Sequence, residues 1–267
     1  MKNLLTRRTS MPGTALLLAL MALWGCGGQN RKSELRLIPP DPQKLLVTAV
    51  RDADPDVRYR SLAEFSATKA IGEPWAVKGV ETIVATDPNP LVRALGLHTL
   101  GRVADGRILT QAIYSMNDSD PRVRAEAAWA LAQVPYAEIE KAQMVAETRE
   151  AMVRGLRDEA LDVKIHSASG LGAFQDRDVV YALITALRDS NFSVRYHAEK
   201  SLIELTGKTF HSNPVAWLEW FDAASEPFAN AGQTPPELVK PKQNVLEKSR
   251  DRIQQWYLNW QGPAKEQ

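Results

Sequence analysis

Apolar residues recur along most of the chain with a helical period. Five times a valine is followed four residues on by a small residue and eight on by a large apolar one. The sets are Val57/Ser61/Phe65, Val92/Gly96/Leu100, Val123/Ala127/Leu131, Val163/Ser167/Leu171 and Val194/Ala198/Leu202. This spacing is one face of an α-helix, and its small middle residue lets a neighbouring helix approach closely. Earlier apolar sets predict a second helix ahead of four of these: Leu45/Leu46/Ala49, Val77/Val80/Val84, Leu109/Ala112/Ile113/Met116 and Val180/Leu183/Ile184/Leu187. Ahead of the fourth, a longer helix is predicted from about Tyr136 to Arg157. No segment alternates with a strand period.

The helix starts are written out as well. Three residues before the valine stand Asp54, Asn89, Asp120 and Asn191, all good N-cap acceptors. Pro55, Pro90 and Pro121 follow in the first three copies, at the first helical position that proline favours. The fourth copy has Ala160 and Leu161 there, so its cap is expected to be weaker by about 1 kcal/mol. Five before each valine is an aspartate: Asp52, Asp87, Asp118, Asp158 and Asp189. Directly after each valine is a basic residue: Arg58, Arg93, Arg124, Lys164 and Arg195. The valines are spaced 35, 31, 40 and 31 residues apart. One helix pair cannot bury its apolar face alone, but a stack of pairs can.

This Asp, cap and Val-Arg signature resembles the short HEAT-like repeats of phycobilisome lyases, over about residues 41–206. The resemblance implies an all-α, right-handed α-α superhelix (HEAT-type solenoid) of about five helix pairs. It also implies that the five aspartates and five basic residues are structural, forming a ladder between turns and adjacent helices. Lys164 departs from the pattern, because lysine lacks the two-pronged fork of arginine.

Past the repeats, Gly207-Lys208-Thr209 has the end of a phosphate-binding loop, but Leu202 stands where such a loop needs glycine. Gly207 instead reads as a helix C-cap. Asn213-Pro214 then starts a helix with Trp217, Trp220 and Phe221 on one face. This resembles the ending of other bacterial HEAT arrays, and residues 207–224 are expected to cap the solenoid. Residues 225–244, with Pro227, Pro235, Pro236 and Pro241, read as a linker. Residues 245–262 read as an amphipathic helix with Leu246, Ile253, Trp256, Tyr257 and Trp260 on one stripe. It would fold back on the array, bind a partner or lie on a membrane surface.

The N-terminus carries Lys2, Arg7 and Arg8 before an apolar run, Thr14–Leu23, too short to span a bilayer. The run ends at Leu23-Trp24-Gly25-Cys26, which resembles a bacterial lipobox, with Trp24 departing from it. The reading is a signal peptide over 1–25, lipidation at Cys26 and a linker over 26–40. The protein would then be exported and anchored by lipid on the periplasmic side of the cell envelope. The alternative is an ordinary signal peptide or anchor with an incidental cysteine. Cys26 is the only cysteine, so no disulfide forms within the chain. Net charge is +1. Cleavage before Cys26 would remove three basic and no acidic residues, leaving −2. That balance, without a basic stripe, argues against nucleic acid.

Recognition by a solenoid usually sits on its exposed ridge. Positions two, three and six after each valine point away from the apolar face. Among these, Tyr59, Arg60, His98, Trp129, His166, Tyr196 and His197 are the candidate partner-binding residues, joined by Leu95, Glu126, Ile165 and Lys200. Aromatic and arginine side chains are the usual anchors of interfaces. The competing reading is that several of them pack against the adjacent unit. His166 and His197 hold equivalent positions about 10 Å apart, too far for one zinc at about 2 Å per ligand. No histidine is followed by glutamate, the pair that iron-binding HEAT hydroxylases use. No metal and no cofactor is expected. The expectation is therefore a lipid-anchored, non-catalytic scaffold that is not an enzyme and holds an unidentified protein or peptide. The alternative implied by the resemblance is a bilin lyase-like enzyme.

Overall fold

A computed structural model describes residues 40–239, 250 and 252–256. The chain divides into two units, Met1–Pro40 and Asp41–Gln267, and the second contains the described helices. Five helix pairs follow one another: α1 (Pro42–Arg51) with α2 (Pro55–Ser66), α3 (Pro74–Thr86) with α4 (Pro90–Gly101), and α5 (Leu109–Ser115) with α6 (Pro121–Ala132). They continue with α7 (Ala142–Gly155) and α8 (Leu161–Gly170), then α9 (Arg177–Ala186) and α10 (Phe192–Thr206). A single helix, α11 (Pro214–Ala223), closes the series. No strand occurs among the described residues, and the unit is an all-α solenoid.

The start of each second helix follows its cap. Asp54, Asn89, Asp120 and Asn191 each accept a hydrogen bond at 2.8–2.9 Å from the backbone N–H two residues on. Ala160 has the same extended backbone (φ −80°, ψ 127°) but offers no side-chain acceptor. Val92, Val123, Val163 and Val194 are fully buried. The small residue four on allows close approach: a Cβ added at Gly96 would lie 2.6 Å from Val84 Cγ2.

A ladder of side chains ties the repeats together. Each basic residue of the first four repeats reaches forward to the aspartate of the next. Arg58 Nε and Nη2 donate to Asp87 at 2.7 and 2.9 Å. Arg93 holds Asp118 at 3.0 and 2.9 Å, and Arg124 holds Asp158 at 2.8 and 2.9 Å. Lys164 makes a single bond to Asp189, at 2.7 Å. Each aspartate also accepts the N–H two residues on, which fixes its own turn.

The fourth repeat departs from the expected long first helix. A 3-10 turn spans Tyr136–Glu138, and α7 begins only at Ala142. Burial explains the difference. Tyr136 packs its ring on Phe174 at 4.6 Å and donates its hydroxyl to Leu131 O at 2.6 Å. Ile139 lies over Gly106, where an added Cβ would meet its Cδ1 at 2.6 Å. The 40-residue spacing therefore comes from a packed loop.

At the other end, Gly207 terminates α10 in the left-handed region, φ 64°. Trp217 and Phe221 of α11 are fully buried, so the helix does cap the array. The segment expected as a linker over 225–244 is folded as far as it is described. Phe228 packs on Phe221 at 6.4 Å between ring centres, and Gly232 N–H donates to Glu204 O at 2.8 Å. Asn230 O lies where a side chain at Gly207 would fall. The prolines here shape a closure. Residues 250 and 252–256 are helical, and the rest of the amphipathic segment lies outside the described residues. So do the signal segment and Cys26.

Candidate partner-binding stripe

The second helices of the pairs pack more closely on one another than the first helices do. A stack that is tighter on one side curves toward that side, so α2, α4, α6, α8 and α10 form the inner layer. The row begins on α4 and α6. His98 stacks on Trp129 with ring centres 4.4 Å apart and 10° between planes. Its Nδ1 lies 3.1 Å from Glu126 Oε2. Gly101 makes this stack possible, because an added Cβ would sit 2.5 Å from Trp129 Cζ3 and 2.9 Å from Ala130 Cα.

On α8 and α10 the row continues with His166 and His197. Burial lowers the pKa of His166, opposed by Asp162 and Glu126. Burial also lowers that of His197, reinforced by Lys200 and by His166. Both imidazoles are thus held toward the neutral form. His197 Nδ1 is buried without a hydrogen-bond partner among the described residues. Tyr196 meets His197 edge to face at 5.4 Å and stacks on Phe192 at 6.1 Å. Phe192 and Tyr196 are 69% and 52% exposed, which makes them the open end of the row.

The structure brings together His98, Trp129, His166, Tyr196 and His197, with Glu126 between the first and second clusters. It does not join Tyr59 and Arg60 to them. Tyr59 is 42% exposed on α2, and Arg60 Nε donates to Asp56 O within its own helix at 3.1 Å. Leu95 and Ile165 pack against the core. Phe192 joins the row although the ridge positions did not include it. Its signal in the sequence is an aromatic residue where three other repeats carry proline.

The stripe itself is a half-open row of rings. Cavities lie on the other side, between first helices, such as one of about 390 Å³ lined by Gln111, Tyr114 and Asp118. Cavities of about 540 and 480 Å³ open on either side of Ile139. Among the described residues, no three His, Cys, Asp or Glu side chains converge as metal ligands would.

A family model described as HEAT repeats matches residues 77–155. No curated protein matches the chain. Among solved structures, the chain is similar to the complex of CpcE and CpcF of phycocyanin lyase from Nostoc sp. PCC7120. Identity is 20% and the TM-score 0.48, with 60% of this chain and 96% of that chain covered. The expectation that this chain is not an enzyme is corrected by that finding, since the similar structure is of a lyase.

Proposed function

We propose that the array recognises a protein partner along the inner stripe, with His98, Trp129, His166, Tyr196 and His197 in contact with it and Tyr59 and Arg60 at its N-terminal end. The observation that supports this is the pair of half-exposed ring clusters, His98–Trp129 and His166–His197–Tyr196, with Glu126 between them, on four consecutive second helices. Rings are rigid, lose little conformational freedom on binding and are frequent interface anchors. Cleavage and lipidation at Cys26 would hold the array at the envelope surface, periplasmic side. The test uses affinity capture from envelope extracts, with Cys26→Ser as the anchoring control. Trp129→Ala with Tyr196→Ala should weaken capture of a specific partner while the helical signal persists. Unchanged capture would sink the reading.

A second reading is that the chain is a bilin lyase-like enzyme acting on the protein it holds. It is favoured by the Asp, cap and Val-Arg signature, which resembles that of phycobilisome lyases over about residues 41–206. Its test is optical. The purified protein mixed with a bilin should shift the absorption spectrum, and a spectrum that stays that of the free pigment rejects the reading.

A further inference from the structure

The ladder shows what each of its arginines is built to hold. In Arg58, Arg93 and Arg124, Nη1 donates to two carbonyls of the arginine's own turn: Asp52 and Ala53, Asp87 and Pro88, Asp118 and Ser119. The guanidinium is thereby oriented, and Nε and Nη2 take both oxygens of the next aspartate. Arg195 has the same anchoring, with Nη1 donating to Asp189 O and Ser190 O at 2.8 Å each. Among the described residues no sixth helix pair follows, and no carboxylate meets its Nε or Nη2. Its guanidinium lies 5.9 Å over the ring of Phe192.

Among the described residues no further second helix covers this end of the inner layer. In the first four repeats the position five after the valine is fully buried: Leu62, Leu97, Ala128 and Ala168. In α10 it is Glu199, bonded to Ser212 Oγ at 3.0 Å. The C-terminal part of α10 is covered by residues 228–232, while Phe192, Arg195 and Tyr196 stay at the open corner.

We propose that Arg195 is a carboxylate-binding position for an aspartate or glutamate of the partner protein, at the C-terminal end of the stripe. The chemistry is that of the inner rungs: two parallel charge-assisted hydrogen bonds from a guanidinium fixed beforehand, so little order is lost on binding. Phe192 and Tyr196 supply an apolar shelf for the residues beside that carboxylate. This inference rests on the stripe reading, since it assigns one contact within that interface.

A library of linear 12-residue peptides, panned on the purified full-length chain, tests it. Peptides that depend on Trp129 and Tyr196 should be enriched in Asp or Glu. They should bind the Arg195→Gln protein about tenfold more weakly or worse. Arg195→Lys should fall between, because Lys164 shows that lysine makes one bond where arginine makes two. Arg188→Gln, on the outer side, is the control for loss of positive charge. Circular dichroism melts show whether each variant is folded. Peptides that need Trp129 and Tyr196 but bind Arg195→Gln as tightly, or carry no acidic residue, overturn the Arg195 assignment alone. A screen that returns no peptide dependent on Trp129 and Tyr196 overturns both it and the stripe reading.

Discussion

Arg124 and Asp158 meet across the boundary between the third and fourth repeats, with Nε to Oδ2 at 2.8 Å and Nη2 to Oδ1 at 2.9 Å. The same guanidinium holds the carbonyl of Asp118 in its own turn, and Asp158 also accepts the N–H of Ala160. Two residues thus tie together two loops and the start of α8. Both side chains are largely buried, at 11% and 14% exposure. Losing Arg124 would take both of its bonds from the Asp158 carboxylate, whereas losing Asp158 would leave Arg124 only the longer contact with Glu159, at 3.4 Å.

Arg124→Ala should therefore cost about 3 kcal/mol of unfolding free energy, in the range for breaking a buried pair. Lys164→Ala removes a single bond from a slightly more exposed rung and should cost clearly less. Lys164→Arg should add stability if the longer fork fits. Urea denaturation measures all three. Equal losses for Arg124→Ala and Lys164→Ala would show that the fork geometry does not matter.

The start of α8 is a site for gain. Ala160 has the cap backbone of Asp54, Asn89, Asp120 and Asn191, without their acceptor. Ala160→Asn should let a side-chain oxygen accept from the N–H of Asp162 and stabilise the protein by about 1 kcal/mol. A melting temperature that stays put or falls would mean that the neighbouring ladder already satisfies this helix end.

Gly101→Ala should destabilise by about 1–3 kcal/mol, the usual cost of overpacking. The methyl group would meet Trp129 and the backbone of Ala130, and only the ring is free to move. Trp129 should swing off His98, and the change should appear in near-ultraviolet dichroism before it appears in helix content. Wild-type aromatic dichroism in this variant would argue against the His98–Trp129 stack.

Acid should weaken the fold in two stages. His166 and His197 have folded pKa values below the ordinary histidine value, first because they are buried. Their contribution is present above about pH 6.5 and is lost as pH falls through the folded values, because unfolding then lets them take up protons. The carboxylates act lower. Arg122 beside Asp120 holds its pKa at about 2. Lys164 lowers that of Asp189. For Asp158, burial pushes upward, but Arg124 and the Ala160 N–H outweigh it and the net shift is downward. Stability from these groups is present above the unfolded value of about 3.9 and fades as pH falls toward 2. Denaturation midpoints measured from pH 7.5 to 2.5 should fall in both windows. In His166→Gln, the pKa of His197 followed by NMR should rise, since a like charge has gone. A flat profile between pH 7 and 5 would contradict the histidine assignment.

Much of this was legible along the chain because it acts within one helix or one turn. The 0, +4, +8 valine face, the Asn and Asp caps, the uncapped Ala160, the end of α10 at Gly207 and the Trp217 lid all depend on neighbours a few residues away. The resemblance to short HEAT-like repeats extended this to a ladder of Asp and Arg.

Contacts between helices decided the rest. The apolar period of residues 136–157 suits a helix throughout, but burying Tyr136 against Phe174 draws its first residues into a loop. Prolines mark residues 225–239 as irregular, and only the packing of Phe228 shows that they close the array. Tyr59 and His98 looked alike as ridge positions, yet only His98 gains a ring from the next repeat. Sequence by itself determined the repeat, its helix starts and its charged signature, because these follow from backbone periodicity and local hydrogen bonding. Tertiary structure decided that Arg124 grips Asp158, and that Arg195 is left with no aspartate among the described residues to grip. Those facts depend on how closely one turn lies to the next in space, which spacing along the chain does not contain.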